Sequence, residues 1–374
     1  MGGALPRPGV SRGIWRAATV LVVVFLGGGG LVGCATPAGR VFPAVEPALE
    51  WPGPPHPARI RYVGEISSAA DLKPRRSGWQ NFIEGIAGRK PSPRMESPLD
   101  VTLADGERLY VADPAAGCIH MFDLVRREYK RLGEEAGISS PISVAWGANG
   151  LFVVDGDRQD ILHIDADGVL VARIGQGQLT RPTGVCVVPL DASIVVADAG
   201  SHQIVRFSAA GELLGRIGSR GWAAGQFNFP IAVECDEEGR LYVCDSLNFR
   251  VQILTLEGAV LGTIGSLGNR PGDLSLPKGV ALDSDGQIYL VDAHFENVQI
   301  FDREGRILLP FGNEGGGPGE FWLPAGIHID SGDRIWVADS YNHRVQLFEY
   351  LPAPEVESGL GEIPLEGVPP SQGR

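Results

Sequence analysis

The chain has 374 residues, 44% hydrophobic and 21% charged, which supplies one large core or two smaller ones and excludes a peptide hormone, a coiled-coil rod or a chain disordered throughout. Lys and Arg number 32 against 45 Asp and Glu, a net charge of -13. The first 33 residues hold three arginines and no acid, so residues 34–374 carry -16, a surface that repels phosphate backbones and argues against a nucleic-acid partner.

At the amino terminus Arg7, Arg12 and Arg16 precede an apolar stretch from Ala17 to Leu26, then four glycines and Leu31-Val-Gly-Cys34. This is the charged, apolar and small-residue order of a signal peptide over residues 1–33. The glycines interrupt the apolar run before it reaches the roughly 20 residues a spanning helix needs. Leu31-Val32-Gly33-Cys34 resembles the lipobox of bacterial lipoproteins. That resemblance implies cleavage before Cys34, diacylglycerol on its sulfur and acylation of the new amino terminus. With Ala35 rather than Asp next, it also implies sorting to the outer membrane in Gram-negative members. The expectation is an exported chain, lipid-anchored to the bacterial envelope through Cys34.

Residues 34–58 carry Pro37, Pro43, Pro47, Pro52, Pro54, Pro55 and Pro57, which predicts an extended tether. Residues 59–66 read as a lone strand. Residues 67–97 form an insertion in which Trp79, Phe82, Ile83 and Ile86 follow helical spacing, with Ser77 as N-cap and Gly88 as stop. Packing as a lid over the domain is the favoured placement of this helix, with contact to anionic lipid through its basic flanks as the other. The tail, 351–374, is expected to be disordered.

Between these ends the sequence repeats. A strand-ending aspartate recurs at 113, 155, 198, 245, 292 and 339, at intervals of 42, 43, 47, 47 and 47. A proline precedes each one (98, 141, 182, 230, 277, 324) and opens a β-branched run. Each unit reads as four short strands joined by Gly-containing turns such as Asp285-Gly286 and Glu257-Gly258, the length and pattern of a propeller blade. Gly225-Gln-Phe-Asn-Phe-Pro230, then Asp236 to Asp245, then Asn248-Phe-Arg-Val-Gln252 resembles an NHL repeat. The pattern returns from Gly319 to Gln346 and more loosely elsewhere, while units one and two lack the Asn-x-Arg pair. The resemblance implies an all-β, six-bladed NHL propeller over residues 59–350. The sixth unit stops after its third strand at Tyr350, so residues 59–66 are predicted to supply its outer strand and close the ring.

A residue present in every unit of such a ring is structural, whereas a ligand site must break the symmetry. The six aspartates are therefore read as acceptors of loop N–H groups, and Arg250 and Arg344 as blade-to-blade hydrogen-bonding residues. The loops entering the first strands and those between second and third strands share one face. Blades four to six place Phe229, Leu247, Phe249, His294, Phe295, Trp322, Tyr341 and His343 there, a candidate face for an envelope protein partner. Phe227 and Phe321, as repeat residues, are predicted to pack between blades.

The positions after the six prolines are Leu99, Ile142, Thr183, Ile231, Lys278 and Ala325, so the histidines that amidating-lyase relatives carry there are missing. Polar breaks in the first strands leave Asp100, Glu234 and His328 as candidates for a divalent cation at the axis. No cofactor is otherwise implied. Of the remaining cysteines, 118, 186, 235 and 244, none forms a CxxC pair. They are either buried thiols or include one bridge, Cys186 to Cys235, which sit on successive first strands. The expected function is a lipid-anchored, extracytoplasmic scaffold that binds an envelope protein. The alternative is a metal-dependent lyase or hydrolase acting at the axis.

Overall fold

Blade four shows how the repeat dictates its own folding. After the first strand, Pro230–Cys235, the Asp236 carboxylate accepts the N–H groups of Glu238 (3.1 Å) and Arg240 (2.8 Å), and Gly239 takes a φ of +78° that a side chain would strain. The chain reverses into Leu241–Asp245, where the Tyr242 hydroxyl donates back to Asp236 at 3.1 Å. Arg250–Leu254 and Val260–Ile264 complete the antiparallel sheet. Blades five and six repeat the device, with Tyr289 donating to Asp283 and the buried indole of Trp336 donating to Asp330.

The computed structural model describes residues 2, 39–73, 91–147 and 150–352. They form six four-stranded antiparallel blades in a ring, an NHL-type β-propeller as the repeat predicts. The first strands (Asp100–Ala104, Pro141–Gly147, Pro182–Val187, Pro230–Cys235, Pro277–Leu282 and Pro324–Ile329) stand around the axis, each beside the next and the sixth beside the first. Six apolar clusters fill the six blade interfaces. Phe227 lies in the cluster between blades three and four and Phe321 in that between five and six, both fully buried. No helix among the described residues is long and apolar enough to cross a membrane.

Closure follows the predicted scheme. Ile60–Ile66 pairs with Arg344–Tyr350 as the outer strand of blade six, with Tyr62 opposite Phe348 and Ile66 opposite Val345. Residues 39–58 differ from the expected tether. Glu50–Trp51 adds a fifth strand to the blade, Phe42 packs on Trp336, and Trp51 packs on Phe311 and Phe348. The physical reason is the apolar side chains set among the prolines, Val41, Phe42, Val45, Leu49 and Trp51, which gain more from the blade's flank than from water.

The insertion leaves and returns at one place, with Ser68 bridged to Arg94 and with Leu72 and Met95 buried between blades six and one. The predicted helix over 77–88, the signal peptide, Cys34 and the tail beyond residue 352 lie outside the described residues. Cys186 and Cys235 form a disulfide across the interface of blades three and four (Cα to Cα 6.1 Å), while Cys118 and Cys244 are buried thiols.

Candidate functional site

Six fully buried aspartates fix the loop face. Each takes the N–H of the loop entering its own blade: Asp113 from Glu96 (2.6 Å), Asp155 from Ser139 (2.7 Å), Asp198 from Arg181 (2.6 Å), Asp245 from Asn228 (2.6 Å), Asp292 from Ser275 (2.7 Å) and Asp339 from Trp322 (2.8 Å). A carboxylate with such donors joins two loops and needs no metal. Arg250 and Arg344 reinforce the joint: each guanidinium binds its blade's aspartate at 2.8 Å and two carbonyls of the incoming loop. Their role is thus within a blade and its connecting loop, with one further bond from Arg344 to Glu65 of the closing strand.

The residues these joints present fall into two sets. Trp322 and Tyr341 are 51% and 53% exposed with their rings 5.6 Å apart, and Leu247 is 43% exposed. His294 is exposed beside half-buried Phe295, ring to ring 5.7 Å, and exposed His343 donates through Nδ1 to the carbonyl of Glu96. Phe229 and Phe249 are half-buried, and Phe229 is occupied by neighbours, His202 edge-on at 5.3 Å and the Arg181 guanidinium 5.7 Å over the ring.

Two residues of the face escaped the repeat-based reading: Trp222, 82% exposed, and Leu267, 65% exposed, on the connecting loops into blades four and five. Their signal was an apolar residue in a polar crossover loop. Among the described residues, the corresponding loops of blades one to three expose no large apolar side chain. Phe249 and His343 sit at φ near +57°, a left-handed position that Gln159, His202 and Glu296 share in blades two, three and five and Gly117 in blade one, so it belongs to the repeat.

At the axis the first strands enclose a cavity of about 370 Å³. Asp100, Glu234 and His328 all line it, but among the described residues no three His, Cys, Asp or Glu side chains come close enough to hold a metal. Geometry gives the reason. Glu234 and His328 share a level but belong to blades four and six, with blade five between them, and Asp100 stands two residues nearer the loop face.

Asp100 is instead engaged with blade two. It accepts the Ser143 hydroxyl (2.6 Å) and the Val144 N–H (3.0 Å), and it lies against Gly326 of blade six, where a Cβ would meet its carboxylate at 2.2 Å. Burial raises its pKa to about 6 against those hydrogen bonds. Burial likewise lifts Glu234 to about 7, with the Asp100 charge adding to it, and lowers His328 to about 4. Lys278, noted in the sequence only as a missing histidine, projects into the same cavity near the loop face.

An NHL repeat family model matches residues 321–348, most of blade six. Solved structures share the propeller. Virginiamycin B lyase from Staphylococcus aureus is 14% identical over 68% of this chain and 96% of its own, with a TM-score of 0.52. An auxiliary nutrient binding protein from Bacteroides thetaiotaomicron is 15% identical over 68% and 69%, with a TM-score of 0.54. Kuenenia stuttgartiensis hydrazine synthase is 12% identical over 70% and 97%, with a TM-score of 0.51. Likeness at these identities is one of fold. No curated protein sequence matches the chain.

Proposed function

We propose that this chain is a lipid-anchored, extracytoplasmic propeller scaffold that binds a protein of the bacterial envelope through the loop face of blades four to six. The observation that carries the reading is the one-sided exposure of Trp222, Leu247, Leu267, Trp322 and Tyr341, a set of large apolar side chains gathered on one arc of an otherwise polar face. Trp and Tyr are the residues that dominate protein interfaces, and the loops that carry them are rigidly stapled, which lowers the entropy lost on binding.

Two features support the compartment. The first 34 residues have the order of a lipoprotein signal, and the Cys186–Cys235 disulfide suits an oxidising environment. One of the fold neighbours is itself described as an auxiliary nutrient binding protein, and a propeller that acts by presenting a binding face needs no catalytic cluster.

The test uses crosslinking in intact cells followed by affinity purification. The wild-type chain is expected to retain a partner that a Trp222→Ala, Trp322→Ala, Tyr341→Ala variant loses by tenfold or more at unchanged melting temperature, a loss equivalent to about 1.4 kcal/mol or more. Equal recovery by both chains would show the aromatic arc to be packing. For the anchor, Cys34→Ser is expected to move the chain from the membrane to the soluble fraction. Membrane retention of that variant would remove the lipid from the reading.

A further inference from the structure

Around the axis, the residue after each repeat proline points into the cavity, and the ring so formed is Leu99, Ile142, Thr183, Ile231, Lys278 and Ala325. Five members are uncharged. The sixth is a half-buried ammonium with no ion pair and no hydrogen bond among the described residues. Across blade four from it, the residue before the proline of blade three is Arg181, the sole charge among the six positions of that kind. Arg181 also makes no ion pair among the described residues, and its guanidinium rests on Phe229 of blade four, the blade between Arg181 and Lys278.

Lys278, half-buried with the exposed Arg181 guanidinium close enough to repel it, loses hydration without return unless an anion comes between the two. Burial first and the Arg181 charge second both push the Lys278 pKa down, the direction this proximity requires. The carboxylates of the cavity do not relieve it. Asp100 is bonded to Ser143 and Val144, and Glu234 stands three residues further along its strand, about 10 Å deeper. At the level of Lys278 the rest of the ring is mainly apolar, with Leu99, Ile142, Ile231 and Ala325.

We propose that the axial cavity binds a small amphiphilic anion, its carboxylate or phosphate head held by Lys278 and Arg181 at the loop-face mouth and its apolar body against Leu99, Ile142 and Ile231 of the same ring. The volume of about 370 Å³ lies at the small end of ligand pockets and admits a metabolite-sized molecule. Phe229 is the positioning residue for Arg181. The site opens on the same loop face as the exposed aromatic arc but does not use Trp222, Leu247, Leu267, Trp322 or Tyr341, so it is tested on the isolated chain without the proposed partner.

Isothermal titration of the purified chain with hexanoate, inorganic phosphate and hexylamine tests it. Hexanoate or phosphate, whichever matches the head group, is expected to bind with a dissociation constant of about 1 mM or tighter, and hexylamine to bind at least tenfold more weakly. Lys278→Met is expected to weaken the anion at least tenfold while its own melting temperature holds or rises, since an unpaired buried charge has been removed. Lys278→Arg is expected to retain binding. Wild-type protein that takes up neither anion at about 10 mM, or that binds hexylamine equally well, overturns the proposal. So does a Lys278→Met variant that folds and binds as wild type does. A Lys278→Met variant with a lowered melting temperature would assign the lysine a structural role and overturn it also.

Discussion

A chain beginning at residue 67 is expected to lose the single cooperative unfolding transition shown by a chain beginning at residue 39. The strand removed, Ile60–Ile66, buries Ile60, Tyr62 and Ile66 to 5% exposure or less against Phe348, Val345 and their neighbours. Each such side chain contributes about 1.5–3 kcal/mol, so together they approach the 5–15 kcal/mol by which an average domain is stable at all. The deletion also strips the third strand of blade six of its outer partner and leaves an open sheet edge, which invites pairing with another copy. Differential scanning calorimetry and size-exclusion chromatography check both consequences. A chain beginning at residue 53 is the control, because it keeps Ile60–Ile66 and gives up the short Glu50–Trp51 strand and the flank packing of Val41, Phe42, Val45, Leu49 and Trp51. It should remain cooperative with a lowered melting temperature. An unchanged melt for the chain beginning at residue 67 would sink the closure scheme.

The sequence revealed the ring because its constraints repeat. One buried aspartate per blade, one proline per first strand and one turn glycine per hairpin recur at nearly fixed spacing, and six copies of a weak signal make a strong one. Closure was legible for the complementary reason: blade six lacks an outer strand and residues 59–66 lack a sheet.

What the sequence hid was non-repeating. Prolines in residues 34–58 pointed to a tether, yet Phe42 packs where blade six meets blade one and Leu49 and Trp51 where it meets blade five, contacts that depend on the shape of the finished blade. Asp100, Glu234 and His328 come from the first strands of blades one, four and six, and the repeat register alone does not say how far apart their side chains stand across the cavity, where no three such groups among the described residues could hold a metal. In the register of first strands Lys278 stands out only as a cation at a position where the amidating-lyase resemblance would put a histidine. Its meaning, a lone cation in an uncharged ring, depended on knowing that this position faces the cavity. The bridge between Cys186 and Cys235 was one of two readings that the register left open, and three-dimensional proximity selected it.

Arg344→Met is expected to cost about 3–5 kcal/mol, lowering the melting temperature by roughly 10 °C. The guanidinium is 5% exposed and satisfies four acceptors: Asp339 Oδ2 at 2.8 Å, Glu65 Oε2 at 2.6 Å, and the carbonyls of Gly317 and Glu320 at 2.8 Å each. Glu65 is partly exposed and tolerates the loss, so Glu65→Gln should cost less than about 1 kcal/mol. Asp339 does not tolerate it. Its carboxylate is fully buried, and burial raises its pKa against the Trp322 N–H, the Asn342 amide and the Arg344 guanidinium, which pull it back.

Without the arginine the folded-state pKa of Asp339 climbs further above its unfolded value. The folded variant then binds an extra proton, so its stability relative to wild type falls as pH rises through the new pKa. Urea denaturation at pH 5 and pH 8 should therefore show a smaller deficit at pH 5, whereas a purely steric defect would be equal at both. Asp339 also holds the N–H of Trp322 and the amide of Asn342. Freeing that carboxylate loosens both loops of the aromatic pair, and at pH 8 the ring contact between Trp322 and Tyr341 is expected to weaken before the propeller itself unfolds, as a red-shifted tryptophan emission would record.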